Sequence, residues 1–448
     1  MKLRDLTIAT VVLAALMGAL YWSNHHKAKE EEGVKASADA SPKILSLNQA
    51  DIVAVRIDRK DQPELNLTRS QSGGWQITAP EPLPADQDSV SSMLATLSSL
   101  NSDRLLEEHA GDLAGYGLAS PALSVDVTLK DNKTQKLRVG DQTPAGNSYY
   151  AMLAGNPRLF TLAGYNKTSL DKTANDLRDK RLLTEDFDKV SQIELVNHKP
   201  DKKQDITFAR EKDAWQILKP KPYRADRFQV EDLIRALREA KFEVNAEQNA
   251  KLGAAFKTAT PVATVRIAGA AGTQELELRK EKEDYLAQST VASGIYKVPA
   301  SLGASLDKTL DDFRNKKLFD FSYSEPNKIE IHEGSKSYFF TRSGTDWWGP
   351  DGKKVDPNNV EDLISKLREF STDTFPDSGY AAAPEIEIAV TSEDGKRVEK
   401  LSLAKSGGTY IAKRENEPTL YGLSSASVNE MEKAASDVKP ATESKKKS

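Results

Sequence analysis

Residues 170–183 read L-D-K-T-A-N-D-L-R-D-K-R-L-L, and residues 306–319 read L-D-K-T-L-D-D-F-R-N-K-K-L-F. Eight of the fourteen positions are identical across a separation of 136 residues. The changes keep the character of the stretch: Leu177 against Phe313, Asp179 against Asn315, Arg181 against Lys317. A second echo joins residues 230–239, V-E-D-L-I-R-A-L-R-E, to residues 360–369, V-E-D-L-I-S-K-L-R-E, with eight of ten identical. Repeats this far apart are much longer than the roughly 20–50 residues of solenoid units, so each copy is long enough to bury its own core.

Outward from these stretches the same order of elements recurs. In the first copy, residues 52–57 and 65–68 alternate apolar and polar side chains as half-buried strands do, and Ser72-Gly73-Gly74 turns the chain into the strand at Trp75. Asp86 then stands as an N-cap before Val90, Met93, Leu94, Leu97 and Leu100, which recur at helical spacing. Strands follow over 123–129, 136–139, 149–153 and 159–162, with Ser169 placed to cap the helix that carries the opening stretch. The second copy repeats the order, with Trp215, Pro220, Ala225-Asp226, a helix from Val230 to Leu237, and Ser305 as the matching cap. The third has Trp347-Trp348, Asp356-Pro357 opening a helix, a meander over 385–423, and Ser427 with Glu430 as a capping box for a last helix.

Ahead of these copies lies a different kind of segment. Residues 6–23 carry no charge, and 18 residues of helix span roughly 27 Å, enough for a bilayer core. Lys2 and Arg4 precede it, and Tyr21 and Trp22 sit at its far end. Lys27, Lys29 and three consecutive glutamates separate Ala36-Ser37-Ala38 from the apolar run, which argues against a cleaved signal peptide. Ala14 and Gly18 place small residues on one face of the segment. The expected fold is therefore α+β: an N-terminal transmembrane helix followed by three tandem repeats, each an antiparallel sheet with one amphipathic helix and a short terminal helix. The expected boundaries are a cytoplasmic N-terminus at 1–5, the anchor at 6–23, a flexible linker at 24–43, repeats at 44–188, 189–325 and 326–433, and a disordered tail at 434–448. The long polypeptide after the anchor places the bulk in the periplasm or outside the cytoplasm, held to the inner membrane through residues 6–23.

Composition narrows function mainly by exclusion. Charged residues make up 29% of the chain yet leave a net charge of only −4, without the basic field that nucleic acid requires. Cysteine is absent, which removes disulfides, thiolate metal sites, thiol nucleophiles and acylated-cysteine anchoring. The five histidines, at 25, 26, 109, 198 and 332, make no metal-binding pair. Ser169 with Lys172, and Ser305 with Lys308, have the S-x-x-K spacing of a serine nucleophile beside a lysine, but the companion motifs of that chemistry are missing and helix capping explains the serines. Asp311-Asp312 reads as an ion-paired face. No catalytic, cofactor or metal site is expected. Trp75 and Trp215 are expected in the core. If Trp347 is too, strand alternation turns Trp348 outward as a candidate contact for a partner or a glycan.

Trp75-x-x-x-x-Pro80, Ala85-Asp86, Tyr116-Gly117-Leu118 with Pro121, Val139-Gly140, Tyr149-Tyr150 and Asp176-x-Arg178-Asp179-Lys180, behind an N-terminal anchor, together resemble the bacterial domain-of-unknown-function family numbered 4340. The likeness is strongest over the first copy and weakest over the third, which lacks the D-x-R. The resemblance implies protein partners in the cell envelope, ABC-transporter permeases or auxiliary subunits among them, and carries no catalytic residues. The expected role is a non-enzymatic accessory or scaffold, with an envelope glycan- or peptidoglycan-binding module and an envelope hydrolase as the alternatives. Aligned from Ser427, the third copy has Ala434 at the place of Asp176 and Ser436 at that of Arg178. The signature is thus present where another copy follows and absent where the chain ends, as a junction motif would be. Asp176 with Arg178, and Asp312 with Arg314, are expected to fix each terminal helix against its neighbouring repeat by ion pairs or hydrogen bonds to turn backbone.

Overall fold

The computed structural model describes residues 42–441 apart from Ala145, 199–203, Asp213, 244–245, 270–271, 322–323 and Ala382. The expected anchor at 6–23 lies outside the described residues; among those described, no helix is long and apolar enough to cross a membrane. The chain divides into two compact units, Met1–Lys180 and Arg181–Ser448. Antiparallel sheets with packed helices make it α+β.

The first unit holds a nine-stranded sheet of β1 (Ile52–Arg59), β2 (Leu65–Arg69), β3 (Trp75–Ala79), β4 (Leu83–Pro84), β5 (Arg104–Glu107), β6 (Leu123–Leu129), β7 (Thr134–Gln142), β8 (Ser148–Leu153) and β9 (Leu159–Ala163). Its spatial order is 4-3-2-1-6-7-8-9-5. Period-two alternation buries Val55, Ile57, Leu65, Leu67, Trp75 and Ile77. α1 (Gln87–Ser98) packs Val90, Met93, Leu94 and Leu97 into that core. Asp86 caps it by accepting from the Ser89 amide at 2.9 Å, and the Gln87 side chain bonds both backbone groups of Trp75, fixing the helix to β3. Two short helices, α2 (Gly164–Leu170) and α3 (Ala174–Leu177), end the unit. The tyrosine–glycine motifs also pack together here. The Tyr116 carbonyl accepts from the Asp141 amide at 3.0 Å and stands where a Cβ on Gly140 would be, so only glycine fits there. Tyr116 and Tyr150 rings meet at 4.8 Å over a small cluster of Leu118, Met152 and Leu159.

The second unit holds two sheets. One has β10 (Gln192–Asn197), β11 (Gln204–Glu211), β12 (Ala214–Lys219), β13 (Tyr223–Arg224), β14 (Thr260–Gly269), β15 (Gly272–Glu281), β16 (Asp284–Ser289) and β17 (Ile295–Val298), in the order 13-12-11-10-14-15-16-17. With it go α4 (Arg227–Arg238), α5 (Ala246–Thr258), α6 (Ala300–Leu306) and α7 (Leu310–Phe313). The other has β18 (Lys328–Glu333), β19 (Lys336–Ser343), β20 (Asp346–Trp348), β21 (Ile386–Ser392), β22 (Arg397–Ser406), β23 (Thr409–Arg414) and β24 (Leu420–Ser424), in the order 20-19-18-21-22-23-24. Its helices are α8 (Pro357–Glu369) and α9 (Ser425–Ser436). In every sheet the first hairpin extends to one side of the first strand and the meander to the other. Trp215 and Trp347 are buried at matching strand positions.

Several expectations change. Ser169 and Ser305 lie inside α2 and α6 rather than capping the helix of the signature; Thr173 and Thr309 cap α3 and α7, each in a box with an aspartate three residues on. α9 is capped by Ser424, whose Oγ accepts from the Ser427 amide, and Glu430 instead pairs with Lys366. α5 has no counterpart in the sequence reading, because its apolar residues make no clear stripe; Phe256 is nevertheless buried, with the Arg279 guanidinium 4.8 Å from its ring. Residues 318–321, assigned by sequence to the second repeat, bury Leu318, Phe319 and Phe321 in the core of the seven-stranded sheet. Leu182, Leu183 and Phe187 likewise belong to the core of the eight-stranded sheet. The tail is ordered further than expected. α9 continues to Ser436, Ala435 is buried, and Pro440 bridges Val355.

A chain ending at residue 436 is expected to be less stable than one ending at residue 441 by about 2 kcal/mol, the worth of two backbone hydrogen bonds and a partly buried Val438. Urea unfolding of the two truncations measures this, and equal midpoints would contradict the role given to residues 437–441.

Candidate functional site: the junction between the eight- and seven-stranded sheets

The chain leaves each sheet by the same short backbone pairing. In the first unit, Ala85 bridges Arg178, the Asp86 amide donates to the Leu177 carbonyl, and the Asp179 amide donates to Pro84, both at 2.8 Å. In the second unit, Ala225 bridges Arg314, Asp226 donates to Phe313 at 2.7 Å, and Asn315 donates to Arg224 at 2.9 Å. At the seven-stranded sheet, Val355 bridges Pro440, Asp356 donates to Lys439 and Ala441 donates to Lys354, both at 2.9 Å. This register corrects the alignment made from Ser427. Pro440, not Ser436, stands at the place of Arg178 and Arg314, and Val438, not Ala434, at that of Asp176 and Asp312. The cause is that α9 is one unbroken helix of 12 residues where the other sheets have two short helices. The D-x-R remains absent there.

A second pairing brings the chain into each sheet. Ile44 donates to Leu100 and Ser102 to Pro42; Leu182 donates to Ala240; Leu318 donates to Phe370 and Thr372 to Lys316. Between Arg314 and Leu318 the chain therefore pairs first with β13's extension and then with the segment after α8. One five-residue segment is thus bonded through its backbone on both sides, at Asn315 on one and at Lys316 and Leu318 on the other.

Side chains divide the work differently from the sequence reading. Asp176 and Asp312 serve their own helices, each accepting from the backbone amide and hydroxyl of its capping threonine at 2.7–2.8 Å. Burial would raise the Asp176 carboxyl, but the Thr173 bonds and the charges of Lys172 and Lys180 hold it below the ordinary range. Arg178 is half-buried. Arg314 acts across the junction. It is buried, pairs with Asp311 at 3.3 Å, and lies between two rings, 4.1 Å from Tyr223 and 3.7 Å from Phe375. A planar guanidinium can stack on both faces, which a lysine ammonium cannot.

Beside it lies a charge network that the sequence did not reveal. Arg224 Nη1 bonds Asp320 Oδ2 at 2.5 Å, its Nη2 donates to the Tyr421 hydroxyl at 3.1 Å, and its Nε lies 3.1 Å from Glu417 Oε1. Arg414 reaches Asp320, Glu399 and Glu417, each at 3.1 Å. Arg397 reaches Glu399 at 3.3 Å, and Tyr421 donates to Glu417 at 2.7 Å. Three guanidiniums thus meet three carboxylates. Burial alone would raise the Asp320 carboxyl, yet the cations of Arg224, Arg414 and Arg397 hold it below the usual range. Burial pushes the Tyr421 hydroxyl up to about 12. Before folding, the only trace of this cluster is charge at alternate positions, Arg397 and Glu399, and the spacing of Arg414, Glu417 and Tyr421.

The other sequence candidates are placed as follows. Ser169 Oγ donates to the Tyr165 carbonyl within α2, and the Lys308 ammonium is bonded to Gln229 at 2.8 Å. Trp348 is half-buried, with Lys354 Nζ 5.5 Å from its ring and its indole N–H without a partner. Among the described residues, no group of three or more histidines and carboxylates is placed to hold a metal ion.

A family model described as "Domain of unknown function (DUF4340)" matches residues 75–223 and 215–385. No curated protein matches. Among solved structures, a crystal structure of the DnaN sliding clamp (DNA polymerase III subunit beta) from Pseudomonas aeruginosa bound to griselimycin covers 87% of this chain and 95% of its own at 10% identity, with a TM-score of 0.13, too low to carry any argument.

Asp320→Asn is expected to cost about 3 kcal/mol in urea unfolding, because it leaves buried guanidiniums short of a charge; an unchanged midpoint would show that the network is dispensable. Tyr421 gives a second test. Its folded pKa lies above the ordinary 10.0, so its contribution is complete below pH 10 and lost as pH rises toward about 12, by about 2–3 kcal/mol. Tyr421→Phe removes the hydroxyl's bonds to Arg224 and Glu417 and should be less stable than wild type at neutral pH, with the gap closing above pH 10 as the wild type alone loses stability; a gap that stays constant to pH 12 would contradict this.

Proposed function

The chain belongs to the DUF4340 family, and on that footing we propose a membrane-anchored scaffold: three tandem α+β repeats carried outside the cytoplasm by a helix at residues 6–23, with no reaction of its own. The observation that carries this reading is the use made of the densest charged cluster. Arg224, Arg397, Arg414, Asp320, Glu399 and Glu417 neutralise one another and join two sheets. Groups paired with one another in this way offer a substrate no free acid or base. The common strand order of the three sheets and the recurrent pairings into and out of each one support the tandem-repeat organisation. A fixed junction between the eight- and seven-stranded sheets suits the holding of partners at a set distance along that unit. Partners in the envelope are the natural cargo of such a scaffold, and the family likeness favours an ABC-transporter permease or auxiliary subunit.

Mild detergent extraction of native membranes followed by crosslinking is expected to recover the chain with at least one membrane partner, while deletion of residues 6–23 releases it into the soluble fraction. Recovery as a lone, uncrosslinked monomer, or a deletion variant still held in the membrane, would overturn the scaffold reading or the anchor respectively.

A further inference from the structure

The outgoing edge of the seven-stranded sheet repeats, bond for bond, an edge that is covered elsewhere in the same unit. Asn315 donates to Arg224 as Ala441 donates to Lys354, and Ala225 bridges Arg314 as Val355 bridges Pro440. Lys353 and Lys354 thus stand where Tyr223 and Arg224 stand. At the eight-stranded sheet, those residues are covered by the elements that follow: Phe375 over Arg314, and Asp320, Glu417 and Tyr421 around Arg224. At the seven-stranded sheet the corresponding side chains are exposed, Lys353 paired with Asp351 at 3.2 Å and Lys354 with Asp346 at 2.5 Å. Trp348 lies beside them, half-buried, with its indole N–H enclosed and without a partner.

We propose that this edge, formed by β20, residues 353–355 and residues 439–441, docks a separate protein that offers the last strands of an antiparallel sheet bearing carboxylates, in the way the seven-stranded sheet covers β13. The inference rests on the scaffold reading and names the surface that the scaffold uses. Correspondence with the covered edge gives the geometry, and Lys353 and Lys354, held only in exposed pairs with Asp351 and Asp346, are the cations that can turn to a partner's carboxylates. A second copy does not fit the requirement. The carboxylates that meet Arg224 are Asp320, two residues beyond Leu318, and Glu417, four before Tyr421. By the same backbone register those places hold Ser46 and Asn156 at the nine-stranded sheet, and Thr184 and Ala292 at the eight-stranded sheet. Among these three equivalent pairs of positions, the acidic one is already engaged with Arg224. At the covered junction the main-chain bonds are made by the connecting residues 313–318, and the sheet that follows reaches Arg224 through side chains alone, so side-chain pairing sets the specificity of such an edge.

The test uses the full chain in its native membrane. A photo-crosslinking amino acid replaces Lys353 in one variant and Lys396, at the turn between β21 and β22, in another. The expected result is one heterologous protein joined from position 353 and not from 396, with its yield reduced about tenfold by Lys354→Glu and restored when a mapped carboxylate of that protein is changed to lysine. Thermal unfolding of the Lys354→Glu and milder Lys354→Gln chains checks that the fold is intact. Adducts that are lipid, glycan or a second copy overturn the proposal, as does a yield that Lys354→Glu leaves unchanged. A partner that co-purifies but crosslinks from position 396 alone overturns this edge and leaves the scaffold reading standing.

Discussion

Backbone hydrogen bonding across the Arg314–Leu318 segment holds the second compact unit together. A polypeptide passing between two cores ordinarily does so as a solvated linker, and relative motion of the cores is then the default. Here the segment is paired on both sides, with Arg224 and Ala225 on one and with Phe370 and Thr372 on the other. Leu318, Phe319 and Phe321 then continue directly into the next core. The connection has become an element of structure. Everything charged at this place, from the Arg314 stack to the six-member network, is arranged around a chain path that the backbone has already fixed.

That order of priority explains why the network tolerates burial. Buried ion pairs are poor sources of net stability, because desolvation offsets much of the attraction. Their contribution lies in what happens when one partner is missing. If the two sheets met in another register, Arg224 would lose Asp320, Glu417 and Tyr421 together, and the carboxylates would keep only Arg397 and Arg414. Misdocking is therefore penalised far more than correct docking is rewarded. The same positions at the other end of the eight-stranded sheet are uncharged: Thr184 takes the place of Asp320, and Gln274 that of Glu399, with the Thr184 amide donating to the Gln274 carbonyl oxygen as the Asp320 amide does to Glu399. A shared hydrogen bond is retained while the charge differs.

The elements legible in the sequence were those whose signal is local. The alternation of Val55 and Ile57, the Asp86, Asp226 and Asp356 caps, and the stripe from Val230 to Leu237 each follow from a few neighbouring residues. Trp347 in the core follows from strand alternation, but Trp348 is half-buried under Lys354 and not the exposed ring that alternation suggests. The candidate junction was legible only in part. Repetition of D-x-R marked the right segment, yet the aspartates proved to cap α3 and α7, because Thr173 and Thr309 lie three residues before them within the same turn. The arginine's ring partners, Tyr223 and Phe375, are about 90 and 60 residues from Arg314 in sequence, and no periodicity points across such distances. α5 escaped because Phe256 packs singly, and the ordered end of the chain escaped because Val438–Ala441 is held by backbone bonds that composition does not report.

Backbone pairing at Lys439–Ala441 has a consequence for mutation. Main-chain bonds ask almost nothing of side-chain identity, so most substitutions at 439 and 441 leave this closing segment in place, whereas any change among the charged residues around Arg224 removes a partner that the others need.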